Sequence, residues 1–227
     1  GWFGTRPGPL MARPDIFSIT VTGKGAHASA PQHCTDPILA ASHLVALLQG
    51  VISRRVAPGQ RAVLSVTRFQ AGSSYNIIPD TAFLQGTVRT LDEDTGELVR
   101  AEMQRLISGL AAGMNVQAEL DYQRGYPVLV NAAEPTAFAA EVARKTFGAE
   151  NVVANAQPLT GSEDFAFLLE QVPGCYLLVG NGDNGHAEGR WSGECMVHNP
   201  HYDFNDEILV PGISYWVRLV QRALPKP

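Results

Sequence analysis

The residues best suited to chemistry lie near the carboxyl end of the chain, in the segment 197–206, around a proline turn. It contains His198, His201, Asp203 and Asp206. A neutral imidazole is a good ligand for zinc, nickel or iron, and a nearby carboxylate can hold the ring in place. We therefore predict one corner of a metal-dependent hydrolase site, with His198 as a metal ligand and the other ligands outside this chain. The alternatives are a surface histidine in an Asn-Pro turn, His201 in the ligand role, and aspartates that only cap the following helix.

Two other polar residues are suited to hydrogen bonding with a substrate oxygen. His27 stands in Gly-Lys-Gly-Ala-His-Ala, where small neighbours let the imidazole approach a ligand closely. Asn76 precedes Ile-Ile-Pro, and its carboxamide can donate to a carbonyl oxygen or an oxyanion. Taken alone, His27 is more simply an exposed loop histidine, and Asn76 is more simply an Asx-turn residue.

Two arginines and one turn are candidates for substrate binding. Arg89 and Arg124 carry the planar guanidinium that binds a carboxylate in a bidentate manner. Arg124 is favoured because it lies where the two halves of the sequence meet, and crevices between domains often bind ligands. The Gly161-Ser162 turn precedes a predicted helix, whose first backbone N–H groups can hold an anion. Solvated surface charges and a simple turn are the alternatives.

The bulk composition excludes several classes of protein. Hydrophobic residues make up 45% of the 227 residues and charged residues 17%, as in an ordinary folded protein. The net charge of −5 provides no basic surface, so we expect no nucleic-acid partner. No apolar run approaches the roughly 20 residues of a membrane span. The three widely spaced cysteines indicate reduced thiols and a cytoplasmic location.

The first half of the chain has the periodicity of a ferredoxin-like unit. Alternating apolar residues predict strands around residues 16–22, 62–66, 82–89 and 116–122. Between them, Asp36-Pro37 predicts the start of one helix, and Thr90 with Glu93 resembles a capping box at the start of another. The resulting order, β-α-β-β-α-β, predicts a four-stranded antiparallel sheet with two helices on one face.

The second half predicts part of an α/β layer. Helices are predicted at 134–147, 163–171 and 210–224, the last with Trp216, Leu219 and Val220 on its apolar side. The apolar run 175–179 predicts a strand buried on both faces, and 180–193 a glycine-rich loop. Because so few strands are present, the sequence predicts that further strands of this sheet precede Gly1.

Several segments, in this order, resemble the M20 metallopeptidase/amidohydrolase family, in the subgroup of hippurate hydrolases and plant-type auxin-conjugate amidohydrolases. The match runs over nearly the whole chain. The segments that carry the resemblance are 6–12, 23–28, 36–37, 76–82, 86–90, 124–127, 161–165 and 198–206.

The resemblance implies a two-domain hydrolase of N-acyl amino acids. It implies catalytic-domain segments at 1–14 and 126–227, and a ferredoxin-like lid at 15–125 that mediates homodimerisation. His198 would be a metal ligand, Arg124 would bind the substrate carboxylate, and the Gly161-Ser162 turn would line the pocket. His27, with Asn76 beside it, would polarise the scissile carbonyl in a neighbouring subunit's site.

The resemblance also implies two divalent ions, of Zn, Mn, Co or Ni, in the complete protein. The family's other metal ligands and its general-base glutamate precede the equivalent of Gly1. This chain is therefore expected to be incomplete and inactive alone. The metal ions of the complete protein need not be bound by this chain by itself. A non-catalytic dimerisation or binding module and an aminopeptidase-like member of the same family are the alternative functions.

Overall fold

The structure, a computed structural model, describes residues 2–182, 197–200, 202 and 204–224. We number its helices and strands in chain order. They are β1 (Phe3–Gly4), β2 (Gly8–Met11), β3 (Arg13–Thr22), β4 (Ala26–His27), α1 (Pro37–Arg55), β5 (Ala62–Ala71), β6 (Ile77–Ile78), β7 (Thr81–Thr90), α2 (Glu93–Met114), β8 (Gln117–Gln123), β9 (Leu129–Asn131), α3 (Ala133–Phe147), β10 (Val152–Val153), α4 (Ala166–Gln171), β11 (Leu178–Val179) and α5 (Leu209–Ala223).

The chain forms two compact units. The first comprises residues 1–10, 130–157 and 168–227, and the second comprises residues 11–129 and 158–167. We call the first the α3–α5 unit and the second the four-stranded unit. The mixture of helices and sheets confirms the α/β fold class predicted from the sequence.

The four-stranded unit is an antiparallel sheet with the strand order β5-β7-β3-β8. The inward residues of β3 alternate with exposed ones, and Phe17, Ile19 and Val21 are fully buried. The apolar stripes of α1 and α2 cover this face, with Leu44 and Met103 in the same core. The predicted β-α-β-β-α-β order is therefore confirmed, because the period-two and helical patterns bury their apolar residues against each other.

The two helices of this sheet begin at different kinds of cap. Asp36 caps α1, because its Oδ1 accepts hydrogen bonds from the backbone N–H groups of Ile38 and Leu39 at 2.8 and 3.2 Å. The predicted capping box with Thr90 is wrong. Asp92 caps α2 instead, accepting from Thr95 N at 2.7 Å, while Thr90 remains the last residue of β7.

Helix α1 is long and apolar enough to cross a membrane by length and composition alone. Its inward residues Leu44, Leu48 and Val51 are nevertheless fully buried in the core of the sheet. A helix that belongs to a folded core passes the same test, so this is weak evidence for a membrane span.

The α3–α5 unit contains a three-stranded sheet in the order β10-β1-β11. Strand β1 runs parallel to β10 and antiparallel to β11. The fully buried ring of Phe3 stacks on Phe147 at 4.7 Å between centroids and packs against Tyr215 at 5.2 Å. These contacts join the strand to α3 and α5 in one core.

The strand predicted at 175–179 is shorter than expected and is not buried on both faces. Only Leu178–Val179 form β11, and both residues are half-buried. At Tyr176, side chains form the hydrogen bonds that a neighbouring strand would otherwise form. The Tyr176 N–H donates to Asn131 Oδ1, and the Tyr176 carbonyl accepts from Asn131 Nδ2 and Thr5 Oγ1. This backbone is therefore satisfied without a ladder.

The last helix shows a different buried face from the predicted one. Tyr215 is 3% exposed and Leu219 packs on the same core, whereas Trp216 and Val220 are 64% and 53% exposed. Apolar residues cover more than one side of α5, so their spacing alone does not select the inward face. Helix α3 matches its prediction closely, α4 begins at Ala166 rather than Glu163, and most of the predicted loop 180–193 lies outside the described residues.

Candidate functional site

His27 is held at one end of the four-stranded unit by a short strand pair. β4 pairs antiparallel with β6, so that His27 lies opposite Ile77 and Ala26 opposite Ile78. The approach requires glycine at position 25, because a Cβ there would lie 2.5 Å from the carbonyl oxygen of Ile78. The His27 ring is exposed, and its Nδ1 lies 3.1 Å from Ser29 N and 2.7 Å from Ser29 Oγ. The loop therefore presents the imidazole to the surroundings in a defined orientation.

Asn76 lies beside this loop, just before β6. Its carbonyl oxygen accepts a hydrogen bond from Ala28 N at 3.0 Å, and its side-chain Oδ1 accepts from Ser74 Oγ at 2.7 Å. Since the serine hydroxyl occupies the oxygen of the carboxamide, the Asn76 NH₂ group remains a donor. The structure thus brings His27 and Asn76 into one loop cluster.

A second cluster lies at the opposite end of β7. Arg89 Nη1 donates to Ser162 Oγ at 3.2 Å. The Ser162 segment is held against the start of β3, because Ala12 N donates to Gly161 O at 2.8 Å. The structure therefore joins Arg89, Gly161 and Ser162, three residues that the sequence selected separately.

Arg124 lies elsewhere on the four-stranded unit and is already paired with a carboxylate. Its guanidinium forms an ion pair with Glu97 of α2, and the side chains are 55% and 39% exposed. A substrate carboxylate would have to displace Glu97 to reach Arg124. Among the residues that the structure describes, Arg89 forms no ion pair, so the geometry favours Arg89 over Arg124 as the carboxylate ligand.

His198 is exposed and adopts a positive φ of 75°. This left-handed conformation is uncommon for a residue with a Cβ, and such conformations concentrate at functional sites. His201 and Asp203 lie outside the described residues. Asp206 is exposed, and the capping role belongs to Asn205, whose side chain accepts from Glu207 N at 3.0 Å.

Metal binding cannot be assigned to this chain's described residues alone. Across residues 2–182, 197–200, 202 and 204–224, no group of three or more His, Cys, Asp or Glu side chains could hold a metal ion. A catalytic metal needs several protein ligands besides an open position. His198 by itself therefore does not fit a complete metal site.

The structure also contains a buried polar network that the sequence analysis missed. Asp15, which is 1% exposed, accepts hydrogen bonds from Arg13 Nε and Nη2 at 3.0 and 2.7 Å and from Tyr122 OH at 2.7 Å. Its other oxygen accepts from Gly125 N at 3.2 Å. Arg13 and Asp15 share the inward face of β3, so their spacing of two residues was the available signal. Burial and the hydrogen bond to Asp15 raise the pKa of Tyr122.

Cys175 is not an activated nucleophile. Cys34 and Cys175 form no disulfide, and burial raises the pKa of the Cys175 thiol, which disfavours the reactive thiolate. Nucleophilic cysteine chemistry at Cys175 is therefore not supported.

Comparison with known proteins identifies the family. The model of the family described as "Peptidase family M20/M25/M40" matches residues 6–222, which is nearly the whole chain. The chain belongs to this family. The membership confirms the M20 resemblance seen in the sequence.

M20 relatives of this chain include several hydrolases. It is 36% identical over 222 residues to the hippurate hydrolase of Campylobacter jejuni, a match that covers 98% of this chain and 55% of that protein. It is 38% identical over 221 residues to an N-acetylcysteine deacetylase of Bacillus subtilis, covering 96% of this chain and 54% of the relative. The chain thus spans about half the length of the curated relatives it matches.

Solved structures share the fold of this chain. The Bacillus subtilis YxeP protein, a dinuclear metal-binding peptidase of the M20 family, superimposes with a TM-score of 0.75 at 32% identity, covering 98% of this chain and 53% of that one. A candidate aminohydrolase from methicillin-resistant Staphylococcus aureus gives a TM-score of 0.83 at 29% identity, covering 100% of this chain and 56% of the other. These likenesses agree with the α/β fold described above.

Proposed function

We propose that this M20 chain serves the hydrolysis of the amide bond of N-acyl amino acids, as part of a metal-dependent, hippurate-type amidohydrolase. The observation that carries the proposal is a pair of donors, the exposed His27 and the half-buried Asn76, held together by the β4–β6 pairing. Relatives named as hippurate hydrolase and N-acetylcysteine deacetylase support this class of substrate. We propose that the whole protein binds a divalent metal, namely Zn, Mn, Co or Ni.

In this proposal His27 and Asn76 stabilise the negative charge that develops on the scissile carbonyl oxygen. A neutral imidazole and a carboxamide can each donate one hydrogen bond to that oxygen. Donors fixed before the reaction are effective because they need no reorientation as charge appears, and losing one typically costs about 100- to 1,000-fold in kcat. The hydrogen bonds to Ser29 and Ser74 fix both side chains in this way.

We assign the substrate carboxylate to Arg89, with Ser162 beside it, rather than to Arg124. The Arg89 guanidinium is half-buried and its neighbour is a neutral hydroxyl at 3.2 Å. An incoming carboxylate can therefore pair with Arg89 without displacing an anion. At Arg124 the same carboxylate would compete with Glu97.

The two clusters lie too far apart in one chain to hold the same small substrate. His27 and Asn76 lie beyond the Thr81 end of β7, and Arg89 lies near its other end. Eight residue steps separate Thr81 from Arg89, which corresponds to about 27 Å along an antiparallel strand. This separation supports a homodimer in which His27 of one subunit acts in the site that contains Arg89 of the other.

The surface formed by α1 and β5 is suited to such a dimer. Helix α1 has no charged residue between Pro37 and Ser53, and its outward Leu39 and Leu47 are 50% and 41% exposed. The adjacent edge strand β5 carries only one charged residue, Arg68, whereas the opposite edge β8 exposes Glu119 and Asp121. Charged side chains protect an open sheet edge, so β5 is the edge better suited to an interface.

The decisive experiment measures hydrolysis of hippurate and N-acetyl amino acids. The full-length gene product and this 227-residue chain are assayed side by side with added zinc, manganese, cobalt or nickel. We expect turnover by the full-length product and none by this chain alone. No turnover by the full-length product over a broad acyl panel would refute the proposal, and a stable dimer without turnover would favour a non-catalytic module.

A complementation assay tests the sharing of sites between subunits. His27→Ala and Arg89→Ala are each expected to keep only a small fraction of wild-type activity, because each lacks one part of every site. After subunit exchange, half of the dimers are mixed and each has one intact site, so about a quarter of wild-type activity should return. No recovery, with subunit exchange verified by a tag, would contradict the shared site.

A further inference from the structure

We propose that Ser29 is a positioning residue, which holds His27 as the neutral tautomer protonated on Nε2. The catalytic consequence of this assignment rests on the proposed function, but the tautomer itself is a property of this chain. In that tautomer the imidazole presents a hydrogen-bond donor, not a base, to whatever approaches its exposed edge.

The backbone of Ser29 decides the tautomer. Its N–H points at Nδ1 of His27 over 3.1 Å, and a backbone amide can only donate. An acceptor nitrogen carries no proton, so the neutral ring must carry its proton on Nε2.

The hydroxyl of Ser29 strengthens the same arrangement. Its Oγ lies 2.7 Å from Nδ1. A hydroxyl beside a histidine nitrogen can donate or accept, but here the amide has already made Nδ1 an acceptor, so the hydroxyl donates as well. Two donors therefore meet one nitrogen. Protonation of Nδ1 would break the hydrogen bond from the amide and would reverse the one from the hydroxyl, which would then accept.

The local fold holds Ser29 where it can act in this way. The N–H of Ala30 donates to the carbonyl of His27 at 2.8 Å and closes a turn around Ser29. The β4–β6 pairing fixes the backbone of His27 itself, which lies opposite Ile77. Within the described residues, the Nε2 atom of the exposed His27 has no hydrogen-bond partner, so its proton is available to a ligand oxygen.

Nitrogen NMR on the 227-residue chain tests the tautomer without any activity assay. The spectra are recorded at alkaline pH, where imidazoles are neutral, and His27→Ala identifies the signals of this ring among the six histidines. We expect Nδ1 to resonate as an unprotonated nitrogen and Nε2 as a protonated one. A ring protonated on Nδ1, or an even mixture of tautomers, would overturn the proposal.

Substitution of Ser29 tests the contribution of the hydroxyl. Ser29→Ala should lower the ratio of the Nε2–H to the Nδ1–H tautomer, by about fivefold at most, because the hydroxyl donates to Nδ1 in the first tautomer and must turn to accept from it in the second. Ser29→Thr keeps the hydroxyl and should restore the ratio. Ser53→Ala is the matched control, because it also removes an exposed serine hydroxyl, one that donates to the carbonyl of Gln49, and it should leave the tautomer ratio unchanged. An unchanged ratio in Ser29→Ala would remove the hydroxyl from the assignment.

Kinetics of the full-length product separate this inference from the proposed function. If His27 donates to the developing oxyanion, Ser29→Ala should lower kcat about tenfold or less and leave KM nearly unchanged, whereas loss of a donor itself costs more. Ser29→Thr should recover most of the loss. A full-length product without amidohydrolase activity would refute the proposed function and leave the NMR result to decide the tautomer.

Discussion

The buried network around Asp15 provides the sharpest prediction about stability. We consider Asp15→Asn, which keeps the size of the side chain and removes its charge. Asp15 and Arg13 are 1% and 2% exposed, and the carboxylate accepts from the guanidinium, from Tyr122 and from the amide of Gly125. In the asparagine, an NH₂ group replaces one of the two carboxylate oxygens, so at least one of these donors would face another donor instead of an acceptor.

The expected cost follows from the burial of the cation that remains. Removing one partner of a buried pair typically costs about 3–5 kcal/mol, because the other charge stays buried without compensation. Glu93 also pairs with Arg13 but is 55% exposed, so it offsets only part of this cost. We therefore expect Asp15→Asn to lower the free energy of unfolding of the four-stranded unit by about 3 kcal/mol.

Hydrogen exchange measures this loss in the correct unit. The amides of β3 and β8 belong to the four-stranded unit, so their protection reports its opening. Asp121→Asn is the matched control, because Asp121 is exposed on β8 and its substitution should change stability by less than about 0.5 kcal/mol. The double substitution Arg13→Met with Asp15→Leu should recover most of the loss, since it leaves no buried charge. A loss below about 1 kcal/mol in Asp15→Asn would refute the reasoning, because only exposed ion pairs contribute so little.

Three further predictions concern other features of the four-stranded unit. Arg89→Ala should lower kcat/KM for N-acyl amino acids about 10- to 100-fold in the full-length product, as for a lost charged hydrogen bond, while Arg124→Ala changes it little; equal effects would contradict the assignment. The raised pKa of Tyr122 means that its stabilising contribution is complete below about pH 10 and is lost as pH rises above that value, so Tyr122→Phe should flatten the alkaline decline in denaturant midpoint. Gly125→Ala should lower the free energy of unfolding of this unit by about 1–3 kcal/mol in the same denaturant titrations, because the added Cβ would overlap a backbone carbonyl of β3. Gly109→Ala meets no atom within 4 Å and should not destabilise the protein.

Local patterns in the sequence were sufficient for the ferredoxin-like unit. In β3, Phe17, Ile19 and Val21 alternate with polar residues, and in α2 the apolar stripe has helical spacing, so each element identifies its own buried face. The cap at Asp36 was also predictable, because Asp followed by Pro is a local signal. The cap of α2 was placed two residues too early, since Thr90 and Asp92 are both suitable residue types.

Contacts between distant segments could not be predicted in the same way. The strand expected at 175–179 is short because Asn131, more than 40 residues earlier, satisfies the backbone of Tyr176. The contact between Arg89 and Ser162 joins residues 73 apart in sequence, and no local pattern indicates it. Sequence reasoning favoured Arg124 over Arg89, because the ion pair between Arg124 and Glu97 depends on the packed structure and has no local signal.

The arrangement of the sheet connects the site to the oligomeric state. Strand β7 separates the donors near Thr81 from Arg89 by about 27 Å, so one chain cannot close both clusters on a small amide. In the proposed homodimer a second copy would bring the two clusters together, and a two-fold dimer needs a surface that is complementary to itself. Helix α1 is our candidate for that surface, because its uncharged outward face lies beside the open edge of β5. Leu39→Glu with Leu47→Glu should therefore give monomers in light scattering and lose the shared activity together, while Ala112→Glu on the exposed side of α2 should do neither. If the leucine variant stays dimeric and active, the α1 surface is not the interface, and the sharing of His27 would need another contact.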